Sequence, residues 1–168
     1  MSFRLSPLGG APADEDAARQ LFAKVNPATA LADLVAGVSY LKARANASGK
    51  IGCVGFCWGG GMADNLAVNL PELAAAVPFY GIQPAAADVP KIKAKLLLHY
   101  ASNDDRINAG IPAYEAALKA AGVSYTKHVY EGTQHAFHND TAGARYNKEA
   151  AELAWRRTIE FLHATLGS

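Results

Sequence analysis

Cys57 stands between two glycines, Gly55 two residues before it and Gly59 two after, in the run Lys50-Ile51-Gly52-Cys53-Val54-Gly55-Phe56-Cys57-Trp58-Gly59-Gly60-Gly61. A nucleophile so flanked fits the apex of a sharp strand-to-helix turn. The apex residue there holds a strained backbone, and a Cβ at either flank would strike strand or helix. Such a turn lifts the sulfur to the carboxyl edge of a sheet. It also aims the first helical N–H groups, starting with Trp58, at whatever the sulfur attacks. A free thiol has a pKa of ~8.5, so the chemistry needs a base to favour the thiolate.

Two later stretches supply the partners. Ser102-Asn103-Asp104-Asp105-Arg106 follows the apolar run Leu96-Leu97-Leu98-His99-Tyr100, and Gly132-Thr133-Gln134-His135-Ala136-Phe137-His138 follows Val123–Tyr130. Nucleophile, acid and histidine come in the order Cys57, Asp104, His135, each after a predicted strand. In an open α/β sheet the loops after the strands share one edge. His135 is the expected base and Asp104 the residue that fixes its tautomer; the Trp58 N–H is the expected oxyanion donor. Asp104 is favoured over Asp105, because the first acid turns back to the site while Asp105 and Arg106 can face water. His135 is favoured over His138 as the earlier in its loop. Tyr80, Phe137 and His138 are candidates for the walls of a substrate pocket. Cys53, inside its strand, is assigned to packing, and His99 to a hydrogen-bonded core position. No His, Cys or carboxylate grouping has metal-ligand spacing, and Gly59-Gly60-Gly61 lacks the following Lys-Ser/Thr of a phosphate loop. No cofactor is expected.

The elements that must position these residues alternate. The predicted strands are Lys50–Phe56, Ala74–Tyr80, Lys95–Tyr100 and Val123–Tyr130. The predicted helices cover 14 to about 25, 29–44, 60–69, 111–121 and 143–166. Residues 1–13 read as an irregular arm. The fold class is therefore α/β, with about four parallel strands flanked by helices in one domain: two leading helices over 14–45, then a βαβ core over 50–168. The 168 residues, 51% apolar and 18% charged, suit a single soluble domain, and the net charge of +1 argues against nucleic acid or an anionic membrane as partner. No apolar run approaches the ~20 residues of a membrane span. Two cysteines without a secretory leader make no disulfide framework, so the expected location is the cytoplasm.

The motifs Gly55-Phe56-Cys57-Trp58-Gly59-Gly60, Leu97-Leu98-His99-Tyr100 leading to Asp104, and Gly132-Thr133-Gln134-His135-Ala136-Phe137 together resemble the dienelactone hydrolase (carboxymethylenebutenolidase) family of the α/β-hydrolases. The resemblance covers essentially the whole chain. It implies Cys57 as nucleophile, Asp104 as acid and His135 as base, and hydrolysis of a small ester or lactone through an acyl-cysteine. The family places several strands before its nucleophile strand. The chain is thus expected to correspond to the C-terminal part of such a hydrolase. The second oxyanion donor, and the glutamate and arginine the family draws from earlier segments, then have no counterpart. Family members that bind dienelactone also carry an arginine shortly after the histidine, where this chain reads His138-Asn139-Asp140. The competing expectation is a catalytically silent module for assembly or binding. Without a neighbour, Lys50–Phe56 becomes a sheet edge, which is expected to be covered by a second copy, the N-terminal arm or another polypeptide.

Overall fold

The computed structural model describes residues 10, 12 and 14–167. The irregular arm expected over 1–13 lies almost wholly outside them. The elements run α1 (Glu15–Phe22), α2 (Pro27–Lys42), β1 (Gly52–Phe56), α3 (Trp58–Asn69), β2 (Ala75–Phe79), β3 (Lys95–Asn103), α4 (Asp105–Asn108), α5 (Ile111–Ala120), β4 (Tyr125–Gln134) and α6 (Lys148–Leu166). Short 3₁₀ turns occupy Ala86–Lys91 and Gly143–Arg145.

The four strands form one parallel sheet, as the alternating pattern implies, in the order β1-β2-β3-β4. β2 is buried along its whole length and β3 from Leu96 to Ala101, so both carry apolar runs rather than alternation. Each strand still feeds two cores. Leu96, Leu98 and Tyr100 face one side with Leu66 and Leu73, Tyr114 and Leu118 of α5, and Val38 of α2. Leu97 and Ala101 face the other, with Phe79, Tyr130, Phe137 and Ala154 of α6. Helices α2, α3 and α5 thus cover one face and α6 the other.

His99 is fully buried on the α6 side, as expected for a core histidine. Its Nδ1 lies 2.8 Å from the Tyr130 hydroxyl and its Nε2 3.1 Å from Thr158 Oγ1. Burial pushes its pKa down to about 3, so it stays neutral. On the opposite side Asp64 of α3 is fully buried and accepts a 2.8 Å bond from the Tyr114 hydroxyl.

Several boundaries differ from expectation, each for a local reason. Asn26-Pro27 does more than end α1. The Asn26 side chain accepts bonds from the N–H groups of Ala28 and Thr29, with Pro27 in the first turn, so α2 starts two residues early. Helix α3 begins at Trp58, because the Cys57 carbonyl already accepts from Gly60 and Gly61 at 2.9 and 3.3 Å. Helix α6 begins at Lys148, where the Asn147 side chain caps the Ala150 N–H at 3.0 Å. Strand β1 forms one edge of the sheet, and among the described residues no strand pairs with its outer side.

Candidate active site

The turn at Cys57 has the backbone its glycines predict. Cys57 holds φ 54°, ψ −120°, in the region that side chains rarely adopt, and its N–H is tied to the Phe79 carbonyl at 3.0 Å. A Cβ on Gly55 would stand 1.9 Å from the Gly59 carbonyl oxygen. A Cβ on Gly60 would meet the Phe79 carbonyl oxygen at 2.5 Å, and one on Gly81 would meet Gly60 and Gly61 backbone at 2.3 Å. Strand ends and helix therefore pack backbone to backbone. At the mouth of the turn the Trp58 ring meets Phe22 of α1 edge-on, with centroids 5.1 Å apart.

A bulge in β4 brings the histidine to the acid. Strands β3 and β4 pair in step up to Ala101 with Tyr130, then resume with Asn103 opposite Gln134. The extra β4 residues include Gly132, at φ 69°, and Thr133, whose hydroxyl donates to the Tyr130 carbonyl at 2.7 Å. Asp104 and His135 are each the next residue after that resumed pair, so they leave neighbouring strands at the same level. Asp104 also caps the short α4 through its carbonyl, which accepts from Ile107 and Asn108, and its carboxylate makes no capping bond. That carboxylate is free to meet the ring. His135 Nδ1 lies 2.5 Å from Asp104 Oδ2, and its Nε2 lies 3.1 Å from Cys57 Sγ. Asp105 is exposed, whereas Asp104 is 8% exposed.

The electrostatics of the pair agree from both ends. The hydrogen bond to His135 holds the Cys57 thiol below its usual pKa, against burial; the imidazolium charge and the Trp58 N–H add to it, and Arg106 contributes from further off. The bond to Cys57 raises His135, also against burial, and Asp104 raises it further through a hydrogen bond and its charge. Both shifts move the pair toward thiolate and imidazolium. Cys53 behaves oppositely. Burial pushes its thiol up to about 12, and it is the inert cysteine of the two.

A cavity of about 680 Å³ opens from Cys57 toward α6. Aromatic walls come from Phe56, Tyr80, Tyr146 and Trp155, and Ala151 and Ala136 leave room between them.

A family model for the dienelactone hydrolase family matches residues 8–166. The chain belongs to the dienelactone hydrolase family. A Saccharolobus solfataricus protein put forward as a carboxymethylenebutenolidase is 43% identical over 114 residues, which cover 67% of this chain and 44% of that one. The carboxymethylenebutenolidase of Pseudomonas putida is 29% identical, covering 90% of this chain and 65% of its own length. A Klebsiella pneumoniae crystal structure, for which dienelactone hydrolase identity has been put forward, superposes with a TM-score of 0.75 at 30% identity, covering 84% of this chain and 63% of that one. The chain spans about half the length of the curated relatives it matches.

Within this member of the dienelactone hydrolase family, the structure brings Cys57, Asp104, His135 and the Trp58 N–H together, and places Tyr80 and His138 in the cavity wall. Phe137 requires correction. It is fully buried, packed on Tyr130 and Tyr80 with centroids 4.9 and 5.5 Å away, and is not part of the cavity wall. After His135 the side chains alternate: Ala136, at φ 71°, and His138 reach the cavity, and Phe137 between them points into the core. Sequence reasoning missed Trp155, Glu152 and Ala151 as cavity residues. Their signal was present as an i, i+3 and i, i+4 set joining a small residue to an aromatic on one helix face. Among the described residues no group of His, Cys, Asp or Glu could hold a metal ion, and no helix is long and apolar enough to cross a membrane.

Proposed function

We propose that the chain hydrolyses a small ester or lactone through an acyl-cysteine intermediate. The observation that carries this reading is the unbroken contact from Asp104 through His135 to Cys57 at the mouth of the cavity. His135 Nε2 takes the thiol proton, and the thiolate attacks the substrate carbonyl carbon. The Trp58 N–H faces the oxyanion that forms, a role worth about 3 kcal/mol per donor. The imidazolium then protonates the departing alkoxide, leaving a thioester on Cys57. His135 next takes a proton from water, whose oxygen attacks the thioester carbonyl. The acid is released and the sulfur leaves as thiolate. Asp104 holds the ring's Nδ1–H toward itself throughout and stabilises the cation. The activity carried by the names of the relatives supports the same reading.

Chromogenic acetyl and butyryl esters test it. Wild type is expected to turn over and Cys57→Ala to lose turnover, with an acyl adduct on wild type seen by intact mass. Equal rates in the two proteins would remove Cys57 from the mechanism. No adduct and no turnover on any ester would favour the silent binding module.

The open outer side of β1 supports a further part of this reading. We infer that two copies pair across it in solution, since an unpaired sheet edge seeks a partner. A monomer by light scattering at micromolar concentration would refute this. A reducing compartment such as the cytoplasm suits two free cysteines, of which one is exposed.

A further inference from the structure

The cavity beside Cys57 has a sign. Its polar rim is acidic: Asp140, in the loop after His138, and Glu152 of α6 both line it. No Lys or Arg does so among the described residues. Lys148 of α6 stands beside Glu152, its Nζ 3.8 Å from Glu152 Oε1, with both side chains exposed. A pair so exposed is weak and held in no single geometry, so it leaves Glu152 available at the cavity. His138, held between Phe56 and Trp155 with centroids 5.1 and 5.8 Å away, is kept below its usual pKa by burial and presents a neutral ring. Arg106 feels the Cys57 sulfur from α4 but is not part of the cavity wall. Four aromatic side chains, Phe56, Tyr80, Tyr146 and Trp155, line the walls. Aromatic faces attract cations, and carboxylates repel anions.

We propose that this cavity selects its ester by charge, preferring an arm that ends in a quaternary or protonated amine, accepting a neutral one and rejecting a carboxylate. The inference rests on the hydrolase reading above for the bond that is broken. It rests on the cavity alone for the selection. The cation would lie over Trp155 and Tyr146 with Asp140 and Glu152 at the rim, while the ester carbonyl reaches Cys57.

Three 4-nitrophenyl esters share one leaving group and differ in the acyl arm: butyrate, monoadipate (too long to cyclise readily to an anhydride) and 4-(trimethylammonio)butyrate. With each rate divided by that of hydroxide hydrolysis, kcat/KM is expected to fall from cationic to neutral to anionic, by about tenfold at the last step. Asp140→Asn/Glu152→Gln is expected to compress the cation-to-anion ratio by a similar factor. A second measurement needs no turnover. Cys57 is labelled with methanethiosulfonates bearing trimethylammonium, methyl or sulfonate groups, with rates taken relative to free cysteine, and the same order and compression are expected. An anionic reagent that matches or outruns the neutral one, or a double variant that leaves the ratio unmoved, overturns the charge selection. Charge-ordered labelling without hydrolysis of any ester keeps the selection and sinks the hydrolase reading. Cys57-dependent hydrolysis without charge order does the reverse.

Discussion

Replacing Asp64 by asparagine should stabilise the protein at neutral pH and leave it unchanged in acid. The Asp64 carboxyl is fully buried, and burial raises its pKa from 3.8 to about 7 in spite of the bond it accepts from Tyr114. Its second oxygen has no hydrogen-bond partner among the described residues. In the unfolded chain the group loses its proton near the ordinary carboxylate pKa; in the fold it keeps it to about 7. Between those values the native state binds more protons than the unfolded one, so stability falls as pH rises and then levels off. Three pKa units at 1.36 kcal/mol each give a loss of about 4 kcal/mol, complete above neutrality. Asparagine cannot ionise, and its Oδ1 can still accept from Tyr114. The assay is urea denaturation of wild type and Asp64→Asn from pH 4.5 to 8. The difference between the two proteins cancels groups that titrate alike in both. That difference should grow in favour of the variant by about 1.4 kcal/mol per pH unit through the middle of the range. A difference that stays flat across the range would show that Asp64 does not carry a buried proton, and the argument would fail.

Other perturbations read different parts of the fold. His135→Ala should raise the pH at which Cys57 reacts with iodoacetamide toward that of an ordinary thiol, because its bond to His135 is the largest cause of the lowered value; an unchanged profile would mean that the helix terminus alone activates the sulfur. Gly81→Ala should cost several kcal/mol, about 3 or more, and abolish rapid labelling of Cys57, since its Cβ would stand 2.3 Å from backbone atoms of Gly60 and Gly61 that cannot rotate away; a stable, fully reactive variant in thermal melts would refute that packing. His99→Leu should destabilise by about 1–3 kcal/mol by removing its bonds to the Tyr130 and Thr158 hydroxyls, which keep only Arg157 and the Ala154 carbonyl as partners, measured by denaturant midpoint with unchanged slope. Asn26→Ala should lower stability by about 1 kcal/mol through loss of the cap on α2.

The four parallel strands and the turn at Cys57 were legible in the sequence because both depend on residue types with few alternatives. Unbroken apolar runs mean strands covered on both faces, and the glycines at 55 and 60 are positions where a Cβ has no room. The choice of Asp104 over Asp105 followed from which residue turns first. What was not legible depended on pairing. Gly132-Thr133 reads as a turn in one strand's sequence, yet beside β3 it is a bulge, and β4 runs on to Gln134. Phe137 looked like a wall because it follows His135 closely, but the positive φ of Ala136 decides which side chain faces out, and alanine gives no sign of it. Trp155 is 42% exposed, and only the tertiary position of α6 makes that exposure a cavity wall.

The contact of Gly60 with Gly81 joins the nucleophile's helix to the turn that carries Tyr80, with no side chain between them to be trimmed or enlarged. One flank of the cavity is thus welded to the reactive sulfur, and any sequence drift there is felt at once in the chemistry. Helix α6 has no such tie to Cys57, and it contributes Ala151, Glu152 and Trp155. A lineage could widen, narrow or recharge its substrate range by rewriting that helix alone, and a designer seeking new specificity should begin there.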